Sequence, residues 1–185
     1  MSLHSWKKIV RESVLFLIII SFVSIFAGIT LEKNIALLGK FPVLLLITPS
    51  FIGICGGIAG TFSCRLTSKL QLGNFQLSQV KGEIFVSACA SLVNTIIFFF
   101  LLSTLAAMIS PIIGLGEAPI AKIVIATVLS GVVVVLASML LAVAVAIFTI
   151  RHNLDPDNFE SAVLSTFGDV VGVLTFISLS SLIIL

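Results

Sequence analysis

The apolar run Ser161–Leu185 and the acidic segment in front of it decide the fold. The run reads SAVLSTFGDVVGVLTFISLSSLIIL, and it follows Asp155–Glu160, which reads DPDNFE. A helix of this length crosses a bilayer, since about 20 apolar residues suffice. One acid, Asp169, lies inside the run, about 12 Å along the helix. A carboxylate there costs roughly 2.5–3.5 kcal/mol on insertion scales, so such residues usually face a bundle interior or an aqueous path.

The composition is that of an integral membrane protein. Hydrophobic residues make up 59% of the chain and charged residues 10%, whereas about a quarter of a soluble domain is charged. The cysteines Cys55, Cys64 and Cys89 lie in or beside apolar runs, with neither metal-ligand spacing nor the pattern of a disulfide framework. We expect the lipid bilayer as a partner, and no nucleic acid.

Five apolar runs are long enough to span a membrane, so we predict an all-α integral membrane protein with five transmembrane helices. The runs cover about 13–31, 41–63, 84–109, 120–150 and 161–185. The fourth is longer than a bilayer is thick, so it must tilt, kink or protrude. Because the connections are short, we expect one transmembrane domain over residues 1–185 and no cytosolic regulatory domain.

The placement of basic residues predicts the orientation. With the amino terminus inside, the inner segments hold seven basic residues, Lys7, Lys8, Arg11, Lys69, Arg65, Lys81 and Arg151. The outer segments hold three, Lys33, Lys40 and Lys122. Lys and Arg are enriched in cytoplasmic loops, so we expect a cytoplasmic amino terminus and an external carboxyl terminus. We expect the plasma membrane as the location.

The second run differs from the others in its proline and glycine residues. Pro49 frees a backbone carbonyl that needs another partner. Small residues four apart let another backbone approach closely, and they are Gly53, Gly57, Gly56 and Gly60. The pattern indicates either ordinary helix packing or the lining of a pathway.

Polar residues on the third run have the same two interpretations. Ser87, Ser91 and Asn94 fall on one face at helical spacing. They form hydrogen bonds between helices or line a pathway, and packing is favoured.

Small and polar residues share a helical face with Asp169. Ser161, Ser165 and Gly172 follow helical spacing, and Gly168 is adjacent. Hard divalent cations bind carboxylate, carbonyl, hydroxyl and water oxygens. One carboxylate does not neutralise a divalent ion, whereas two copies across a two-fold axis do. This favours a homodimer with a cation pathway at its interface and paired Asp169 residues; the opposing interpretation is an Asp that is protonated or paired with a neighbouring helix.

The acids before the fifth run also have two interpretations. Asp155 and Asp157 are candidate metal ligands, together with Ser165 and Asp169. Alternatively Asp155 or Asn158 caps the helix, with proline favourable in its first turn. The segment is not an EF-hand loop, because the glycine at position six and the glutamate at position twelve are absent.

Two stretches resemble one family. DPDN at 155–158 with STFGDVVG at 165–172 is similar to the last membrane helix of MgtE-type magnesium transporters and their eukaryotic solute-carrier relatives. Pro49 followed by GGIAG at 56–60 resembles the glycine-rich segment of that family. The resemblance implies a divalent-cation pathway between two membrane domains, with Asp169 at the ion site and Asp155 at the cytoplasmic mouth. Two positions depart from the family pattern: Ile58 replaces its usual Asn, and Thr61 stands where an amide is common.

We therefore expect transport of a divalent cation, most of all Mg²⁺, by a homodimer that is not an enzyme and needs no cofactor. One alternative is a membrane-embedded metal-dependent enzyme, with Asp155, Asp157 and Glu160 holding the metal. It lacks an evident nucleophile and base, since the only histidines are His4 and His152. The other alternative is a non-conducting membrane subunit that packs through its glycine faces.

Overall fold

The chain folds into long α-helices. The computed structural model describes residues 14, 18, 21–22, 24–71, 77–115, 119–151 and 156–184, and side chains within these ranges except 37, 70–71, 77–81, 83, 149–151 and 156–162. The helices are α1 (Ile35–Lys40), α2 (Val43–Gln71), α3 (Leu77–Ile109), α4 (Ile120–Arg151) and α5 (Pro156–Ile184). No described residue lies in a β-strand, which confirms the predicted all-α class.

Four of these helices contain a stretch that is long and apolar enough to cross a membrane. The candidate spans are Val43–Lys69, Ile84–Ile109, Ile120–Phe148 and Val163–Ile184. Within the first predicted span, 13–31, the structure describes residues 14, 18, 21–22 and 24–31, all of them helical, but this segment is not among the candidate spans. Helix α2 continues past the predicted end of the second run at Ser63, because residues 65–71 include the good helix formers Arg, Leu, Lys and Gln.

Helices α2 and α4 occupy the centre of the bundle. Each packs against the other and against both α3 and α5, whereas α3 and α5 lie on opposite sides with at most marginal contact between them. Short α1 makes only a small contact with α2. Helices α2 and α5 are therefore direct neighbours.

A cluster of aromatic rings joins the helices at one level. The ring of Phe51 in α2 lies 4.7 Å from that of Phe99 in α3 and 4.7 Å from that of Phe176 in α5, and all three side chains are fully buried. Gly131 in α4 faces Phe99 so closely that a Cβ atom there would overlap its ring. We call these three phenylalanines and Gly131 the aromatic hub.

A hydrogen bond joins the amino end of α4 to the carboxyl end of α5. The ammonium group of Lys122, in the first turn of α4, donates a hydrogen bond of 3.1 Å to the carbonyl oxygen of Ile184. A cation at a helix carboxyl end satisfies an unpaired carbonyl and the helix dipole. Because Lys122 lies at the start of α4 and Ile184 at the end of α5, the two packed helices run antiparallel.

Candidate ion pathway

Asp169 is the only acidic residue in the four candidate spans. It lies in α5, half-buried in a single copy of the chain, beside the buried Gly168. The described residues include no group of three His, Cys, Asp or Glu side chains that would hold a metal ion. The described side chains near Asp169 therefore do not form a ready-made cluster of metal ligands in one copy.

Two glycine contacts place Asp169 against α2. A Cβ atom at Gly168 would lie 4.0 Å from the backbone nitrogen of Gly56, and one at Gly172 would lie 3.8 Å from Cε1 of Phe51. These are ordinary van der Waals distances, so the two backbones come close without overlap. The pairs also fix the register, because residue numbers rise in α5 as they fall in α2, and Asp169 lies at the level of Gly56.

The neighbouring face of α2 is lined by small residues and is open in one copy. Pro49, Gly53 and Gly57 are exposed, and Gly56 and Gly60 are half-buried. A Cβ atom at any of the four glycines would have no neighbouring atom within 4 Å. Helix α2 continues through Pro49 without interruption. The predicted small-residue pattern thus lies next to Asp169, on a surface that one copy leaves uncovered.

The two positions that depart from the family pattern, Ile58 and Thr61, differ in their exposure. Ile58 is buried in the apolar core, so its side chain contributes to packing rather than to the open face. Thr61 is exposed on that face, and its hydroxyl donates a hydrogen bond to the carbonyl oxygen of Gly57. Because the hydroxyl proton is used in this bond, the oxygen of Thr61 remains available as an acceptor.

The structure brings only some of the predicted site residues together. Ser165 is exposed one turn before Asp169 on α5. Asn94 is exposed on α3, which packs against α2 and α4 rather than along α5, so it does not lie beside Asp169. Asp155 lies outside the described residues; Asp157 lies in the first turn of α5, and its side chain is not described.

Sequence reasoning missed the residues that position α5. Phe176 stacks on Phe51, and this contact holds the register that places Asp169 beside Gly56. The available signal was spacing, since Gly168, Gly172 and Phe176 follow one another at intervals of four and so share a helical face. That pattern marks the packed face of α5, with Asp169 at its edge.

Among the described side chains at this surface, three bear oxygen atoms that can bind a cation. Asp169 supplies a carboxylate, Ser165 and Thr61 supply hydroxyls, and the α2 backbone is accessible at its glycines. Oxygen ligands suit Mg²⁺, Ca²⁺ and Mn²⁺, whereas soft metals prefer sulfur. The arrangement is therefore suited to a hard divalent cation.

Comparison with known proteins identifies a family whose described function is consistent with this oxygen-bearing surface. Residues 48–179 match the MgtE family, described as divalent cation transporter. The comparisons with curated proteins and with solved structures gave no significant match. The matched segment begins just before Pro49 and contains both the glycine-lined face of α2 and Asp169. The chain belongs to the MgtE family of divalent cation transporters.

Proposed function

We propose that two copies of this chain form a transmembrane pathway for divalent cations, most of all Mg²⁺, with the two Asp169 carboxylates at the ion site. The observation that carries the proposal is the position of Asp169, the one acid in the candidate spans, at the open edge of the α2–α5 contact. Ionisable residues inside a membrane usually mark substrate or ion pathways. Membership of a divalent cation transporter family supports the same function.

Charge balance supports a pair of carboxylates rather than one. A divalent ion beside one Asp169 keeps a net positive charge in a medium that disfavours charge, whereas two carboxylates neutralise it. Mg²⁺ dehydrates reluctantly and keeps several waters. The exposed hydroxyl groups of Ser165 and Thr61 then serve as partners for its hydration shell. In this proposal Asp155 and Asp157 attract the cation to the cytoplasmic mouth.

The open face of α2 supports an interface between copies. Pro49, Gly53 and Gly57 expose backbone rather than bulky side chains, and small residues at such spacing let helices approach closely. A second copy at this face brings its own α5 to the same level. The oxygen-lined surface then becomes a channel wall on both sides.

The proposal includes the arrangement of the chain in the membrane. Five spans with a cytoplasmic amino terminus follow from the five apolar runs and from the seven basic residues on one side against three on the other. Residues 1–185 then form one MgtE-like transmembrane domain in the plasma membrane. No cofactor or enzymatic step is part of the mechanism.

The test is cation flux into liposomes that contain wild-type protein or Asp169→Asn. Asn keeps the size of the side chain and its hydrogen-bonding ability but removes the charge. We expect Mg²⁺ flux to fall by about a hundredfold or more, since one charge pair at about 4 Å is worth roughly 4 kcal/mol at an effective dielectric constant of 20. Insertion and dimer formation should remain normal.

Glu32→Gln is the matched control, because Glu32 is an exposed acid outside the four candidate spans. It loses the same charge and should transport at the wild-type rate. Wild-type flux through Asp169→Asn, at equal protein amount, would remove Asp169 from the ion site. Wild-type protein without any flux of Mg²⁺, Mn²⁺ or Ca²⁺ would instead support a non-conducting subunit.

A further inference from the structure

A shallow, open pocket lies between α2 and α3 where their membrane spans end. Its lining residues are Phe62, Arg65, Leu66, Lys69, Ile84 and Ser87. Lys69 is the last residue of the α2 span, and Ile84 is the first residue of the α3 span. The pocket therefore lies near the depth of the lipid headgroups, on the side that the basic residues predict to be cytoplasmic.

The lining combines positive charge with an apolar floor. Arg65 and Lys69 are four residues apart on α2, so they lie on the same helical face. Phe62 and Leu66 are buried and apolar. A guanidinium group binds phosphate oxygens with two parallel hydrogen bonds, and lysine adds a point charge. The combination matches a molecule with an anionic phosphate head and a hydrocarbon body.

Ser87 adds a polar group to the pocket. Four buried serine hydroxyls have no hydrogen-bond partner in the described part of the chain, Ser63, Ser87, Ser138 and Ser180. Among them, Ser87 is the one that lines this pocket, whereas other serines such as Ser130 donate to a backbone carbonyl four residues earlier. A buried polar group without a partner is unfavourable, and a ligand oxygen in the pocket would satisfy it.

We propose that this pocket binds the phosphate group of an anionic phospholipid, held by Arg65, Lys69 and the Ser87 hydroxyl, with the acyl chains along α2 and α3. Basic pockets between membrane helices on the cytoplasmic side bind anionic lipid headgroups. The proposed lipid site shares helix α2 with the ion pathway, but its lining contains none of Asp169, Ser165 and Thr61. It does not depend on the proposed transport function.

The test measures lipid binding to the purified, detergent-solubilised protein by native mass spectrometry. The probes are phosphatidylglycerol, phosphatidylcholine and inorganic phosphate. We expect retention of phosphatidylglycerol in preference to phosphatidylcholine. Arg65→Gln/Lys69→Gln should bind phosphatidylglycerol about thirtyfold more weakly, roughly fivefold for each basic residue near an anionic surface.

Two further variants separate the pocket from surface charge. Lys33→Gln/Lys40→Gln removes the same charge at exposed positions away from the pocket and should bind phosphatidylglycerol like wild type. Ser87→Leu keeps both basic residues but fills the pocket from the α3 side, and it should lose binding. Ser87→Leu also tests the proposal if Arg65→Gln/Lys69→Gln fails to fold.

Four results would overturn the proposal. Equal loss of phosphatidylglycerol in both double variants, or full retention in Ser87→Leu, would mean attraction by surface charge alone. Equal retention of phosphatidylcholine would mean that the pocket does not select an anionic head. Displacement of phosphatidylglycerol by inorganic phosphate with similar affinity would assign the pocket to a soluble phosphate.

Discussion

At the residue scale, the length of the acidic side chain at position 169 should determine ion selectivity. Asp169→Glu keeps the charge but moves it outward and narrows the space between two copies. We expect Mg²⁺ flux to fall by about tenfold, corresponding to roughly 1.4 kcal/mol, and the order of preference among Mg²⁺, Mn²⁺ and Ca²⁺ to change. Competition fluxes in liposomes measure both quantities. An unchanged order with wild-type rates would show that this side chain does not shape the ion site.

Single residues also show what the sequence could predict. Asp169 stood out because one acid in a long apolar run has few structural explanations. The contact of Phe176 with Phe51 could not be predicted in the same way. Lipid tails are as apolar as a protein core, so an apolar side chain carries no signal that separates a packed position from a lipid-facing one. Buried Ile58 shows the same limit, because only the structure places it away from the open face.

At the element scale, the close contact between α3 and α4 should make Gly131 sensitive to substitution. In Gly131→Ala the new methyl group overlaps the ring of Phe99, which is held on its other side by Phe51. We expect a loss of about 1–3 kcal/mol in stability, as for other overpacked cores. Thermal unfolding in mild detergent is the measurement.

Gly82→Ala is the control, since a Cβ atom at Gly82 of α3 meets nothing within 4 Å. It should be neutral or slightly stabilising, because alanine favours a helix by up to about 1 kcal/mol. Phe99→Leu should recover part of the loss when combined with Gly131→Ala, because the two residues are coupled through one contact. Independent effects of the two substitutions would argue against this contact.

The positions of the helices were easier to predict from the sequence than the residues at which they end. The apolar runs at 84–109 and 120–150 correspond closely to the candidate spans Ile84–Ile109 and Ile120–Phe148. Helix α2, however, extends to Gln71, because charged residues are good helix formers even where they stop the apolar run. That extension carries Arg65 and Lys69 on a helix, and it thereby builds the pocket that sequence reading did not anticipate.

At the scale of the whole molecule, the exposed glycine face should hold two copies together. We expect wild-type protein to be a dimer in mild detergent and Gly53→Leu/Gly57→Leu to be largely monomeric, since leucine side chains prevent close helix approach. Ala90→Leu makes a similar enlargement at an exposed position on α3 and should leave the dimer intact. Mass measurement of the detergent complex distinguishes these cases, and a fully active wild-type monomer would contradict the dimer.

The orientation of the molecule has its own test. We expect a cysteine at position 185 to react from outside intact cells with a membrane-impermeant reagent, and one at position 2 to react only after the membrane is opened. The native Cys55, Cys64 and Cys89 are first replaced by serine or alanine. External labelling of Ser2→Cys, with Leu185→Cys protected, would reverse the orientation.

The aromatic hub has a mechanical consequence for the molecule. Phe176 follows Asp169 along α5, so a force that draws this helix out by its carboxyl end reaches the stacked rings before it reaches the acid. The Phe51–Phe176 stack then resists extraction first. Once the rings separate, Asp169 moves from the level of Gly56 towards that of Phe51, because α2 and α5 run antiparallel and Gly172 lies against Phe51. The helix that bears the carboxylate is thus held by ring stacking at a point between Asp169 and its carboxyl end.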